Sequence, residues 1–215
     1  MKLLYAVFGG TFDPFHYGHL ISCILLSNEI KIKKIIIIPN NIPPHKKLPK
    51  ASNQDRFNMI KLSTSNNKLF IIDPIELKNN QISYTIQTLK KIKKKINNNI
   101  SLGFIIGEDN LNTFYTWHDW ESFLKICHII ICPRKTNQII LNQHHILNDW
   151  INQYKIQNYY NLHRYSSGCI FFSNIPNINI SSTQIRNLKK QKKHISKLVH
   201  WKVEKYINKN NLYNN

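Results

Sequence analysis

Cysteine, acidic residues and long apolar runs are all scarce in this chain of 215 residues. The four cysteines, Cys23, Cys127, Cys132 and Cys169, form no C-x-x-C pair, which argues against a disulfide scaffold and a structural zinc knuckle. No stretch approaches the roughly 18 consecutive apolar residues that a membrane-spanning helix needs. We therefore expect reduced thiols, a cytoplasmic location and no membrane association.

The shortage of acidic residues leaves a strongly basic chain. Eleven Asp and Glu stand against 30 Lys and Arg, a formal net charge of +19. The lysines are scattered, and the short runs at 90–95 and 189–193 fall within predicted helices. This distribution favours a solvated basic surface, whose field attracts nucleotides, over a specific nucleic-acid site. A basic nucleic-acid-binding module remains an alternative.

The apolar residues that are present predict a single domain, 1–215, with an α/β fold. Hydrophobic residues make up 42% of the chain, enough for a sizeable core. Buried strands are predicted at 3–8, 34–38, 69–72, 102–106, 128–132 and 169–172. Helices are predicted at 17–28, 54–65, 83–96, 120–126, 145–154, 184–190 and 195–208. All-apolar strands that alternate with helices indicate a parallel sheet with helices on both faces.

The ends of these elements carry further expectations. Asn53 and Ser83 are the expected N-caps of their helices. The pattern is least regular over 134–167, the Asn-rich tail 208–215 is expected to fray, and about 181–215 forms a helical C-terminal portion. In a parallel sheet of this kind, ligands bind beyond the carboxyl ends of the strands.

The most informative motif lies between the first strand and the first helix. Residues 9–19 are Gly-Gly-Thr-Phe-Asp-Pro-Phe-His-Tyr-Gly-His. The two glycines allow a ligand to approach the backbone, and His16 and His19 share one face of a helix N-terminus that favours anions. Neither the P-loop nor the dinucleotide-binding pattern is present, so this is a different phosphate site. A metal site formed by Asp13, His16 and His19 is the alternative.

This motif resembles the H-x-G-H signature of the nucleotidyltransferase superfamily, and four further motifs narrow the resemblance. They read IPPHKK at 42–47, QISYTIQTL at 81–89, IIGEDNL at 105–111 with TWHDW at 116–120, and ISSTQIR at 180–186. In this order and spacing, the set resembles the bacterial nicotinate-nucleotide adenylyltransferases over nearly the whole chain. Residues 134–167 match that family weakly.

The resemblance implies a Rossmann-like nucleotidyltransferase fold and an ATP-dependent enzyme. The implied reaction transfers AMP from ATP to nicotinate mononucleotide, giving deamido-NAD and pyrophosphate. Mg²⁺ would arrive with ATP, and no metal held by the protein is predicted. Because the attacking phosphate, with a second pKa of about 6, is already largely dianionic at neutral pH, the reaction needs no general base.

The resemblance also assigns site residues. Those implied for catalysis are His16, His19, Lys46 and Arg186, with His45 a weaker candidate. Those implied for ATP are Gly9, Gly10, Thr11, Phe12, His16, His19, Gly107, Asp109, Ser182 and Arg186. Those implied for nicotinate mononucleotide are Lys46, Tyr84, Thr85 and Trp117, where the indole would stack on the pyridine ring. Trp120 is the better candidate for a core tryptophan.

Two alternatives within the same fold stay open at this point. The phosphopantetheine adenylyltransferase family would share the first and last motifs but is not expected to carry Ser83-Tyr84-Thr85 together with Trp117. Nicotinamide mononucleotide is the other alternative acceptor, because backbone donors alone could select between the acid and the amide. The sequence leaves the oligomeric state open.

Overall fold

The computed structural model describes residues 1–41, 48–78, 83–134 and 145–214. Their core is a seven-stranded sheet in the order β3-β2-β1-β4-β5-β7-β6, and every pairing in it is parallel. The strands are β1 (Leu3–Gly10), β2 (Lys34–Pro39), β3 (Phe70–Ile72), β4 (Ile100–Gly107), β5 (His128–Cys132), β6 (Lys155–Ile156) and β7 (Ile170–Phe172). The predicted parallel sheet is thereby confirmed.

Helices follow almost every strand. The α-helices are α1 (Tyr17–Ile30), α2 (Asn53–Thr64), α3 (Thr85–Lys95), α4 (Glu108–Leu111), α5 (Phe123–Ile126), α6 (His145–Tyr154), α7 (Tyr160–Arg164), α8 (Ser182–Lys190) and α9 (Trp201–Lys209). Short 3₁₀ turns at Phe114–Thr116 and Trp120–Ser122 lie between α4 and α5. No helix among the described residues is long and apolar enough to cross a membrane.

Three apolar cores hold these elements together. On one face of the sheet, Val7 and its neighbours pack against α3, α5 and α6. On the other face, Leu4 and Ala6 pack against α1, α2 and α7. A third core joins α2 to α8, α9 and the chain end through residues such as Met59 and Val203. Helices therefore cover both faces, and the C-terminal portion is attached through α2.

The strand order places a topological switch point at β1. The chain steps from β1 to β2 and β3 on one side, then crosses to β4 and β5 on the other. At such a point the connections that follow neighbouring strands diverge and leave a crevice at the carboxyl edge of the sheet. The motif at 9–19 begins with the last two residues of β1 and so lies at this crevice.

The helix N-termini differ from the predictions. Ser52, not Asn53, caps α2, and its hydroxyl accepts from the Asp55 N–H at 3.1 Å. The Asn53 side chain is instead used by Arg56, whose Nη2 lies 2.6 Å from Asn53 Oδ1. The predicted Ser83 cap is also wrong, because α3 begins at Thr85 with Tyr84 as its N-cap.

The last predicted helix begins later than expected, at Trp201 instead of residue 195. Ile195 and Val199 are buried in the third core, while the Leu198 carbonyl accepts from the Tyr17 N–H at 2.9 Å. That carbonyl is therefore occupied outside the helix. The predicted helix at 120–126 is likewise divided into a 3₁₀ turn and the single turn α5.

In the tail that is expected to fray, residues 208–211 are exposed, but Tyr213 packs against the molecule. Tyr213 is only 9% exposed and belongs to the third core with Ile207. In the irregular region, α6 forms at the predicted residues, whereas β6 and α7 lack an apolar run long enough to predict them. Residues 135–144 lie outside the described part of the chain.

Candidate active site

The loop after β1 is built around a cluster of aromatic rings. Phe12 adopts a left-handed backbone conformation with φ of 51°, which is uncommon for a bulky residue. Its ring packs edge-on against Phe8 and Phe15, each at 5.4 Å between centroids, and against His19 at 5.0 Å. Burial of these rings holds the loop in this conformation and orients the His19 imidazole.

His16 and His19 form a stacked pair at the start of α1. Their ring centroids are 3.7 Å apart, and the ring planes are inclined by 22°. The His16 N–H donates to His19 Nδ1 at 3.3 Å. Since Nδ1 is the acceptor, the proton of a neutral His19 is on Nε2, which is then a donor. His16 Nδ1 is buried and has no hydrogen-bond partner among the described residues.

Both imidazoles are neutral at physiological pH. Burial lowers the pKa of His16 to about 3, and the positive charge of Arg134 contributes to the shift. Burial is also the main reason why the pKa of His19 lies well below its usual value, and the nearby His16 and Arg134 lower it further. The two imidazoles would therefore contact an anion as neutral hydrogen-bond donors that carry no positive charge of their own.

Two glycines of the motif are required by these rings. A Cβ on Gly10 would lie 2.8 Å from the Phe12 ring, closer than side chains tolerate. A Cβ on Gly18 would lie 2.9 Å from the His16 ring and 3.2 Å from the Ile180 carbonyl oxygen. Besides leaving room for a ligand, these glycines let the aromatic cluster and the histidine pair form.

The Asp13 side chain binds protein groups in this structure, which argues against its role in the alternative metal site with His16 and His19. Its Oδ2 accepts from the Lys50 N–H at 2.7 Å, and its Oδ1 accepts from the Ala51 N–H at 3.1 Å and from the Tyr213 hydroxyl at 2.6 Å. The carboxylate is thus fully engaged and 5% exposed. No group of three potential metal-binding side chains occurs among the described residues.

Other side chains hold the carbonyl groups of the same loop. Arg56, fully buried on α2, donates from Nη1 to the Thr11 carbonyl at 2.6 Å. Arg186 donates from Nη1 to the Asp13 carbonyl at 2.8 Å, and Ser182 donates to the Pro14 carbonyl at 3.0 Å. The predicted residues Ser182 and Arg186 therefore lie at the motif, with their polar groups directed to its backbone.

The helix N-terminus offers fewer free amides than the sequence predicts. The Tyr17 N–H, the first amide of α1, donates to the Leu198 carbonyl at 2.9 Å. The His19 N–H lies 3.0 Å from the His16 carbonyl. An anion bound at α1 would therefore depend more on side-chain donors than on the helix terminus alone.

A first cavity lies on the α1 side of the sheet, beyond the carboxyl ends of β1, β4 and β5. Its lining includes Phe8, His16, His19, Gly107 and Arg134. Gly107 is the N-cap of α4, and the exposed Asp109 follows in the same short helix. The structure thus brings the β1 motif and the β4 motif to one cavity, as the sequence predicts.

Arg134 is a cavity residue that the sequence analysis missed. Its Nε lies 3.8 Å from Asp109 Oδ1, and its backbone N–H donates to Glu108 Oε2 at 3.3 Å. A partly exposed guanidinium beside the histidine pair suits a polyphosphate. The available signal was its position, two residues past the end of β5 at the ligand-binding edge.

A second cavity lies on the opposite face of the sheet, between β1, β2 and α3. Its lining includes Gly9, Asn40, Glu76, Thr85 and Trp117. Trp117 also packs against Phe104 and Phe114, with centroids 6.2 and 5.3 Å away, so one indole lines the cavity and closes the core. Thr85 and Trp117, predicted to share a site, are brought together.

Three neighbouring side chains complete the description of this cavity. Tyr84 precedes Thr85, but its ring packs on His118 at 4.4 Å between centroids. Glu76, which the sequence analysis missed, is buried and accepts from the Thr88 hydroxyl at 2.8 Å. Burial raises the pKa of Glu76 above its ordinary value, while the Thr88 bond opposes the shift. Trp120 faces away and packs on Trp150 at 5.1 Å, as expected for a core residue.

Lys46 and His45 lie outside the described residues. The described chain resumes at Leu48, and the backbone N–H groups of Lys50 and Ala51 donate to Asp13.

Comparison with known proteins identifies the family. Residues 7–188 match the Cytidylyltransferase-like family. The probable nicotinate-nucleotide adenylyltransferase of Buchnera aphidicola subsp. Schizaphis graminum is 48% identical, over 99% of this chain and 97% of its own length. That of Pectobacterium atrosepticum is 38% identical, over 99% and 100%.

A solved structure gives the same fold. The nicotinic acid mononucleotide adenylyltransferase of Plasmodium falciparum, complexed with NaAD, superimposes with a TM-score of 0.72 at 22% identity, over 99% of this chain and 98% of that one. The predicted nucleotidyltransferase fold is thereby confirmed. With its sequence motifs, its two cavities and these relatives, the chain belongs to the nicotinate-nucleotide adenylyltransferase family.

Proposed function

We propose that this chain transfers the adenylyl group of ATP to nicotinate mononucleotide, producing deamido-NAD and pyrophosphate. The observation that carries the proposal is the pair of cavities on opposite faces of the sheet at the end of β1. Phe8 lines one cavity and the next residue, Gly9, lines the other. A nucleotide in each would bring two phosphates together over the β1–α1 loop.

Positioning and charge stabilisation supply the chemistry. The phosphate of the mononucleotide attacks the α-phosphorus of ATP in line, and pyrophosphate leaves. Negative charge builds on the α-phosphate oxygens, where the neutral His19 Nε2–H and the His16 ring are the nearest proposed donors. Donors that are held in place before the reaction lower the barrier because they need not reorganise.

The remaining phosphates are assigned to the surrounding cations. Arg186 uses one amino group on the Asp13 carbonyl and the other on Thr183, and a guanidinium has further N–H donors to offer the β- and γ-phosphates. Arg134 faces the same cavity, and we assign it to the triphosphate. Lys46 is proposed to bridge the phosphates of both substrates, and Ser182 to support the γ-phosphate.

We propose that the nucleosides occupy the two cavities separately. Gly107 and Asp109 would meet the adenosine, together with the backbone of Gly10, Thr11 and Phe12, whereas Gly9, which the resemblance assigns to ATP, lines the second cavity. Trp117 would stack on the pyridine ring, and the free amides at the start of α3, near Tyr84 and Thr85, would receive its carboxylate. Mg²⁺ enters with ATP, bound by phosphate oxygens and water, and adds positive charge there. We also propose a cytoplasmic location.

Pyrophosphate release tests the proposal. Purified protein is supplied with ATP, Mg²⁺ and one of three acceptors: nicotinate mononucleotide, nicotinamide mononucleotide or phosphopantetheine. We expect kcat/KM to be highest for nicotinate mononucleotide. Preference for another acceptor would retain the chemistry and reject the substrate, and absence of turnover with all three would reject the proposal.

A further inference from the structure

The end of the chain reaches the phosphate-binding loop. Tyr213 lies 200 residues from Asp13 in sequence, yet its hydroxyl donates to Asp13 Oδ1 at 2.6 Å. The contact is buried, with Asp13 5% and Tyr213 9% exposed. A phenol that donates to a buried carboxylate forms a short, charge-assisted bond that water cannot readily replace.

Asp13 joins Tyr213 to two segments of the proposed active site. One is its own loop, which leads directly into His16 and His19. The other is the stretch at Lys50 and Ala51, whose N–H groups donate to the same carboxylate at 2.7 and 3.1 Å and which follows Lys46. A shift of this carboxylate would therefore move the loop that leads into the histidine pair relative to the backbone at Lys50 and Ala51.

The two arginines near Asp13 bind backbone carbonyl groups, and the other donors to its carboxylate are backbone N–H groups. Arg186 holds the Asp13 carbonyl oxygen, not its carboxylate, and Arg56 holds the Thr11 carbonyl. Tyr213 is the side-chain hydroxyl that contacts the carboxylate among the described residues. Burial and the Asp13 charge raise the pKa of Tyr213 above its ordinary value, so the hydroxyl keeps its proton.

We propose that Tyr213 is a positioning residue for adenylyl transfer, acting through the Asp13 carboxylate to hold the β1–α1 loop against the backbone of residues 50–51. This inference rests on the proposed function. Tyr213 does not line either cavity, so it acts through Asp13 and not by touching substrate.

The chain offers a matched control. Tyr206, on α9, also anchors the C-terminal portion by its hydroxyl, which donates to Asp55 Oδ1 at 2.8 Å and accepts from Asn58 Nδ2 at 3.0 Å. Both partners lie on α2, and among the described residues neither is hydrogen-bonded to the β1–α1 loop. Tyr206→Phe and Tyr213→Phe each remove one oxygen from the same portion of the chain and keep the ring.

The test is steady-state kinetics of the full-length wild type and both variants, with thermal unfolding measured in parallel. We expect Tyr213→Phe to lower kcat roughly tenfold, since small displacements of reacting groups have large effects on rate. Its KM for nicotinate mononucleotide should stay within about twofold, because Trp117 and Thr85 lie on elements that Tyr213 does not contact. Tyr206→Phe should keep kcat near the wild-type value.

Each result distinguishes the two proposals. An inactive wild type rejects the proposed function itself. An active wild type with equal kcat in Tyr213→Phe and Tyr206→Phe overturns the positioning role. A Tyr213→Phe chain that fails to fold also overturns it, because the bond would then be purely structural.

Discussion

The stacked imidazoles of His16 and His19 are neutral hydrogen-bonding groups because burial opposes their protonation. The amide of His16 fixes the His19 tautomer, so Nε2 carries the proton. A neutral donor interacts more strongly with the transition state than with the ground state as charge accumulates on the α-phosphate. The arrangement thus favours rate over tight substrate binding.

At this scale we predict that His19→Ala lowers kcat by about 10² to 10³, the usual effect of losing one preorganised donor. His19→Gln serves as the control, because its side-chain amide can place a nitrogen donor near the former Nε2, and it should retain more activity. The measurement is pyrophosphate release at saturating substrates. A near-normal rate for the alanine variant would remove His19 from the mechanism.

At the scale of elements, the connection from β4 to β5 separates two tryptophans with different surroundings. Trp117, at the end of the first 3₁₀ turn, lines the second cavity, whereas Trp120, which opens the second turn, packs on Trp150 and Phe114. The two tryptophans are only three residues apart, yet the irregular connection places Trp117 at the proposed substrate and Trp120 in the core.

We predict that Trp117→Leu raises the KM for nicotinate mononucleotide about two- to tenfold, corresponding to ~0.5–1.5 kcal/mol of lost aromatic contact, and leaves the KM for ATP nearly unchanged. Trp120→Leu is the matched control and should lower the unfolding temperature while both KM values stay the same. Equal effects of the two variants on the nucleotide KM would contradict the assignment of the second cavity.

At the scale of the whole molecule, a buried histidine links folding to pH. His128 accepts from the Cys169 N–H on Nδ1 at 3.1 Å, and its Nε2 lies 2.9 Å from Ser101 Oγ and 3.1 Å from the Tyr165 carbonyl. It therefore ties β5 to β4 and to the segment before β7. Burial lowers the pKa of His128 to about 4.

This shift predicts that stability falls on acidification. Above pH of about 6.5, His128 is neutral in both the folded and the unfolded chain. Below that pH, His128 binds a proton in the unfolded chain but stays neutral in the folded core. The free energy of unfolding should therefore decrease between pH of about 6.5 and 4, by up to ~1.4 kcal/mol per pH unit for this group. Urea denaturation at several pH values measures the slope, to which the lowered pKa of His16 adds in the same direction.

His128→Gln is the control for this slope. Glutamine can still donate a hydrogen bond but binds no proton in this range, so the variant should show a shallower dependence on pH. An unchanged slope would show that other groups dominate the acid sensitivity. Kinetic assays are best made at neutral pH, where this effect is absent.

The predictions from sequence succeeded where a local pattern is sufficient. The strand predicted at 34–38 formed because its apolar run, 35–38, has to be covered on both faces. The predictions failed where another group competes for the same atoms: the Asn53 side chain is taken by Arg56, one turn along the same helix, and the Leu198 carbonyl is taken by the distant Tyr17. The Tyr17 contact has no signature in the sequence near Leu198.

The sequence by itself determined the alternation of strands and helices, the family and the His16–His19 motif, since each depends on residues close together in the chain. Only the tertiary structure decided that the imidazoles are neutral, that Arg134 joins them, and that the Asp13 carboxylate accepts a hydrogen bond from Tyr213. Burial and contacts between distant segments control these properties, because they set the local polarity and the available partners.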